Sequence, residues 1–146
     1  MSKLLKGGSA TDDRGRLMFV NDFAFDGVRR FYMVENHDLS IIRAWHGHRD
    51  EEKWVFVARG TFIVCVVGLD DLENPSKKAP ISRYVLSADS PAVLHVPGMS
   101  ANGFRALEPG SQIAFFSSGT LAEAAGDDFR FPVDYWDSSV WEVINR

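Results

Sequence analysis

Short apolar and aromatic runs, cut by Gly, Pro, Asn and Asp, follow one another along most of the chain. Residues 17–19, 28–34 (VRRFYMV), 41–47, 53–58, 61–67 (TFIVCVV), 82–86, 92–96 and 112–117 each have the length and the β-branched or aromatic content of a strand. The run 61–67 is almost continuously apolar between Arg59-Gly60 and Gly68, the pattern of a strand buried on both faces. Many short strands joined by Gly and Pro turns predict an antiparallel sandwich or barrel. Residues 1–11 read as a loose lead-in broken by Gly7-Gly8 and Ser9, and Asp12-Asp13-Arg14-Gly15 reads as a turn. Residues 121–126 have room for a helical turn or two. The aromatic tail FRFPVDYWDSSVWEVINR is expected to pack back on the barrel as irregular chain.

Composition narrows the class. A chain of 146 residues fits a single domain, 1–146, with a real core, and 45% apolar with 25% charged residues is ordinary for a globular protein. A net charge of -4 without a basic run argues against nucleic acid as a partner. Cys65 is the only cysteine and sits in an apolar run, so no disulfide framework is expected. The N-terminus MSKLLKGGSATDD lacks the apolar core of a secretion signal, and no stretch is long enough to span a bilayer. The expectation is a cytoplasmic domain with no membrane partner.

The chemistry concentrates in 41–60, IIRAWHGHRDEEKWVFVARG. On a strand, the spacing of His46 and His48 puts both imidazoles on one face. Such a pair can hold a metal or move protons near neutral pH. Strict alternation puts Arg43 with Trp45 on the opposite face, so Arg43 reaches the histidines only through a bulge. Lys53 meets the same difficulty.

H-x-H, a following Glu, a Gly and the downstream LHVPG together resemble the double motif of cupins, which implies an all-β, cupin-type jelly-roll barrel. Within cupins, VRRFYMV, IRAWHGHRDEEKWVFVARGTF and VLHVPGMSANGF are similar to two groups. One is the dTDP-4-dehydrorhamnose 3,5-epimerases, with R-G-L-H followed by K-x-V-x-V-x-x-G. The other is the dTDP-sugar 3,4-ketoisomerases, with R-G-x-H-A-H-K. The resemblance spans roughly 12–118 and is specific in 43–60. It implies His46 as base, His48 as the second histidine and Lys53 as a cation beside the sugar. Arg43, Tyr32 and Asn102 are expected to bind substrate, and Arg14 to meet a nucleotide phosphate.

The departures from these patterns change the expectation. The epimerases carry a general-acid tyrosine where this chain has Phe115-Phe116, which favours ketoisomerisation over epimerisation. The carboxylates the epimerases carry after R-G are absent, Val64 and Gly68 standing there. A cupin metal site would take His46, His48, Glu51 or Glu52 and a late histidine, but Asn102 occupies the last position and a neutral amide is a poor replacement. No metal and no cofactor are therefore expected. The resemblance implies a nucleotide-sugar isomerase for cell-surface polysaccharide synthesis, working as a homodimer paired near its N-terminus. A non-catalytic sugar-binding or regulatory cupin, or a metal-dependent one, are the alternatives.

Overall fold

The computed structural model describes all 146 residues, Met1–Arg146. Twelve strands run in order: β1 (Lys3–Lys6), β2 (Gly8–Asp12), β3 (Gly15–Phe19), β4 (Arg30–Val34), β5 (Ile42–His48), β6 (Lys53–Arg59), β7 (Thr61–Gly68), β8 (Ile81–Ser87), β9 (Ala92–Val96), β10 (Ser100–Ala106), β11 (Gln112–Ser117) and β12 (Phe129–Arg130). A short helix, α1 (Leu121–Ala125), and a 3₁₀ turn (Ser138–Trp141) interrupt the last stretch. Two five-stranded antiparallel sheets, ordered β1-β9-β6-β11-β4 and β12-β5-β10-β7-β8, face each other as a jelly roll, with β2-β3 as a separate ribbon.

Alternation on β7 explains its unbroken apolar run. Phe62, Val64 and Val66 enter the core between the sheets with Val55, Val57, Leu94, Phe104, Ile113 and Phe115. Ile63, Cys65 and Val67 point the other way, into a second cluster with Trp45, Phe131, Trp136 and Trp141. The aromatic tail is thus what buries the outer face of the second sheet. Arg105 fastens it by donating to the Trp141 carbonyl at 2.7 Å, and Arg83 by donating to the Val140 carbonyl at 2.7 Å. Burial pushes the Cys65 thiol up to about 12, so it is an inert core group.

Three expectations change. Residues 1–11 are not a loose lead-in: β1 closes the first sheet against β9, and β2 pairs with β3 around the Asp13-Arg14 turn. Backbone pairing to an available edge outweighs the weak propensity of Gly and Ser. The segment SANGFRA, unassigned from sequence, is β10, the centre of the second sheet. It has small residues because it is crowded: a Cβ on Gly103 would fall 2.5 Å from Ala44 Cβ and 2.9 Å from Trp141. The tail also contributes β12, which pairs with β5 through Phe129↔Gly47 and Arg130↔His46.

Candidate active site

A cavity of about 460 Å³ opens between the two sheets. The strand β4 offers alternate residues to it, Arg30, Tyr32 and Val34, while Phe31 and Met33 face outward. The strand β6 offers Lys53, which lies on the same face as Val55 and Val57 by period two. Its Nζ stands 5.8 Å from the Tyr32 ring centre and 5.6 Å from that of Phe115. Asn102 comes from β10 and is buried, its amide donating to the His46 carbonyl at 3.4 Å.

On β5 the register with β10 shifts: Asn102 pairs His46, yet Phe104 pairs Arg43. The extra residue on β5 lets Ala44 and Trp45 both pack toward the tail cluster. Arg43, His46 and His48 consequently share the cavity wall. The opposition between Arg43 and His46 expected from strict alternation is removed by this bulge. Arg43 is held by Asn36, whose Oδ1 accepts from Nε at 2.7 Å.

The two histidines are not equivalent. His46 is half-buried, and its ring makes no hydrogen bond to another protein group. Burial first, then Lys53 and Arg130, lowers its imidazole to about 4, with Asp128 opposing. It is therefore neutral at neutral pH and has a nitrogen free to accept a proton. His48 is buried, with Nδ1 2.5 Å from the Asp127 carbonyl and Nε2 3.2 Å from Glu51 Oε2. Both its ring nitrogens are turned into the protein, so of the histidine pair expected to move protons only His46 has a ring free of protein partners.

Six of the seven residues named from sequence meet here: His46, His48, Lys53, Tyr32, Arg43 and Asn102. Arg14 does not. It sits at the β2–β3 turn, exposed and paired to Asp12 at 2.5 Å, outside the cavity. The structure adds Arg30, Glu51, Phe115, Asp128 and Arg130 to the lining, with Leu121, Ala124 and Ala125 of α1 at the mouth. Arg30 could have been found from the alternation R-x-Y-x-V in VRRFYMV. Asp128 and Arg130 carry no local signal, because only the pairing of β12 with β5 brings them beside His46.

No protein-family model matches the chain, and no curated protein does. Solved structures do. The sugar 3,4-ketoisomerase QdtA from Thermoanaerobacterium thermosaccharolyticum, solved with TDP, superposes with a TM-score of 0.69 at 19% identity, covering 94% of this chain and 93% of that one. The TDP-quinovose 3,4-ketoisomerase WlaRB from Campylobacter jejuni gives 0.64 at 18% identity over 92% and 95%. The dTDP-4-dehydrorhamnose 3,5-epimerase from Sulfolobus tokodaii gives 0.75 at 20% identity over 93% and 80%. The chain shares their fold. The all-β jelly roll expected from the two motifs is the architecture found.

The phenylalanine expected to leave the site without an acid acquires a neighbour. Phe115 pairs with Tyr32 across β11 and β4, the rings stacked 5.2 Å apart at 15°. A phenol therefore enters the cavity from the adjacent strand. Phe116 faces the opposite way, against Phe23, Phe25 and Phe31. A cupin-type metal set does not assemble, since Glu51 Oε1 is occupied by Arg30 and Ser117 and no three His, Cys, Asp or Glu side chains are arranged to hold an ion.

Proposed function

We propose that this protein is an isomerase of a nucleotide-linked 4-keto-6-deoxy sugar that moves a proton next to the ketone without a metal. The observation that carries the reading is the free, neutral imidazole of His46 in a cavity that also holds Lys53 and Tyr32. A hydrogen on the carbon beside a ketone is acidic because the carbanion becomes an enolate. His46 is placed to accept it, and Lys53 to stabilise the charge that develops on the ketone oxygen. Tyr32 is the nearby hydroxyl that returns or relays a proton. Four cations, Arg30, Arg43, Lys53 and Arg130, line the cavity against two carboxylates, Glu51 and Asp128. That surplus suits a diphosphate-linked substrate. WlaRB is a TDP-quinovose ketoisomerase, the Sulfolobus tokodaii protein is a dTDP-4-dehydrorhamnose epimerase and QdtA was solved with TDP, which supports a TDP sugar here. Because Tyr32 restores a phenol, the absence of tyrosine at 115 does not separate ketoisomerisation from epimerisation; the product does.

Incubating the protein with dTDP-4-keto-6-deoxyglucose in deuterated water tests this. Deuterium should enter the sugar ring, and NMR of the product should show either a moved carbonyl or an inverted centre. Tight binding with no deuterium entering would sink the enzyme reading and favour a sugar-binding protein.

The same proposal includes a homodimer working in the cytoplasm on precursors of surface polysaccharide. A lone buried thiol and no disulfide accord with a reducing compartment. Outward-facing Leu17, Phe25, Phe31 and Met33 form an apolar face along the ribbon β2-β3 and the edge strand β4. Covering such an edge with a second copy answers both the exposed apolar area and the open backbone. Arg14, at the tip of that ribbon, would then be free to approach a nucleotide in the partner. Light scattering should give a mass near twice 16.3 kDa, and a monomeric mass at micromolar concentration would remove this part of the proposal.

A further inference from the structure

Of the four cations that line the cavity, three already have a carboxylate. Arg30 Nη2 stands 3.0 Å from Glu51 Oε1, Lys53 Nζ 3.8 Å from Glu51 Oε2, and Arg130 Nε 3.1 Å from Asp128 Oδ2. Arg43 is the exception. The one partner of its guanidinium is a neutral amide, Asn36 Oδ1, which accepts from Nε at 2.7 Å. Two carboxylates lie close to Asn36 in sequence, but both are engaged elsewhere. Glu35 accepts from Gln112 Nε2 at 2.8 Å, and Asp38 from the Ser40 N–H at 2.7 Å. Arginine has donors only, so the amide atom that meets it is the oxygen. That leaves Asn36 Nδ2, which is buried without a hydrogen-bond partner. An unpaired buried amide is costly, and a residue that served packing alone would not carry one.

We infer that Asn36 is a positioning residue whose neutral amide orients the Arg43 guanidinium without cancelling its charge, holding Arg43 ready for the diphosphate of the substrate. The identity of that ligand rests on the nucleotide-sugar reading above. The orientation of Arg43 by an amide, and the absence of a carboxylate beside it, rest on the geometry alone.

The chain builds this contact from both sheets. The alternation of β4 continues past its last residue: Phe31, Met33 and Glu35 are exposed, whereas Tyr32, Val34 and Asn36 are half-buried. Asn36 therefore falls on the side of the strand that faces the cavity, two residues beyond Val34. Arg43 belongs to β5 in the opposite sheet and reaches the cavity wall through the bulge at Ala44-Trp45. Their hydrogen bond thus spans the two sheets at the cavity edge. With Nε engaged, the plane of the guanidinium is set, and Nη1 and Nη2 remain free of protein partners. That free edge is the donor fork that matches two phosphate oxygens. A carboxylate at position 36 would hold the arginine as well, but it would compete with the phosphate for the same charge. An arginine held by nothing would have to give up its rotamer freedom on binding. A neutral acceptor avoids both costs.

The experiment measures binding of TDP and of inorganic pyrophosphate to the full chain by calorimetry, in the wild type, N36A, N36D, R43M and the N36A/R43M double variant. N36A should weaken both ligands by about 3–10-fold, the contribution of one hydrogen bond. N36D should weaken them by about 10-fold or more, because its carboxylate holds Arg43 but cancels its charge. In the R43M background N36A should cost nothing further, since Asn36 acts only through Arg43. A residue that merely stabilised its loop would give the same loss in both backgrounds. Wild-type affinity in N36A or in N36D overturns the inference, as do additive losses in the double variant or a wild type that binds neither ligand. If N36A fails to fold, N36D, which keeps the shape of the side chain, decides alone. The measurement is independent of turnover. Weakened, non-additive binding in a protein that exchanges no sugar proton would refute the proposed activity and leave the role of Asn36 standing.

Discussion

His46→Asn is expected to stop deuterium entering the sugar, lowering turnover by about 10²–10⁴-fold, the usual contribution of a positioned general base. Asparagine keeps a similar volume and hydrogen-bonding capacity but has no group that accepts a proton near neutrality. The ring of His46 holds no hydrogen bond to the rest of the protein, so its removal should leave the fold and nucleotide-sugar binding intact. The wild-type profile adds a second check. With the imidazole lowered to about 4, kcat/KM should stay level across the neutral range and fall only as pH drops toward that value. The same depression works against stability in acid. Between the ordinary 6.5 and about 4 the unfolded chain takes up the proton more readily, so stability falls as pH falls through that window. A His46→Asn variant within a few-fold of wild type would remove His46 from the mechanism.

How far the site could be read in advance depended on the range of the interaction. The two-faced burial of β7 was legible because it is written within eight consecutive residues. The pairing of His46 and His48 on one wall follows from period two. The place of Arg43 does not, since the bulge at Ala44-Trp45 is imposed by the tail aromatics that Trp45 joins. Lys53, which strict alternation was expected to keep from the histidines, is buried at the cavity, because β6 turns its alternate residues inward from its first position. The strand β10 hid behind Asn-Gly, which elsewhere marks a turn. Here glycine is needed for the close approach of Ala44 and Trp141, side chains far away in sequence. Glu51 was visible only as a metal ligand in a motif. Its actual partners arrive from β4, β5, β6 and β11, which no local pattern encodes.

Lys53→Met should separate catalysis from binding. Methionine keeps an apolar stem against the rings of Tyr32 and Phe115, where the lysine chain now lies, and discards only the charge. Glu51 stays bonded to Arg30 and Ser117, so the carboxylate is not stranded and the fold should hold. What is lost is the cation that faces the developing enolate. In a half-buried cavity such a preorganised charge contributes about 10²–10³-fold to kcat. KM should change little, since Arg30, Arg43 and Arg130 remain to hold an anionic substrate. A second readout follows from electrostatics. Lys53 is one of the groups that lower the His46 imidazole, so its removal should shift the acid limb of kcat/KM toward higher pH. A purely structural lysine would lower stability without moving that limb. An unchanged kcat, or a limb that stays in place, would take Lys53 out of the reaction.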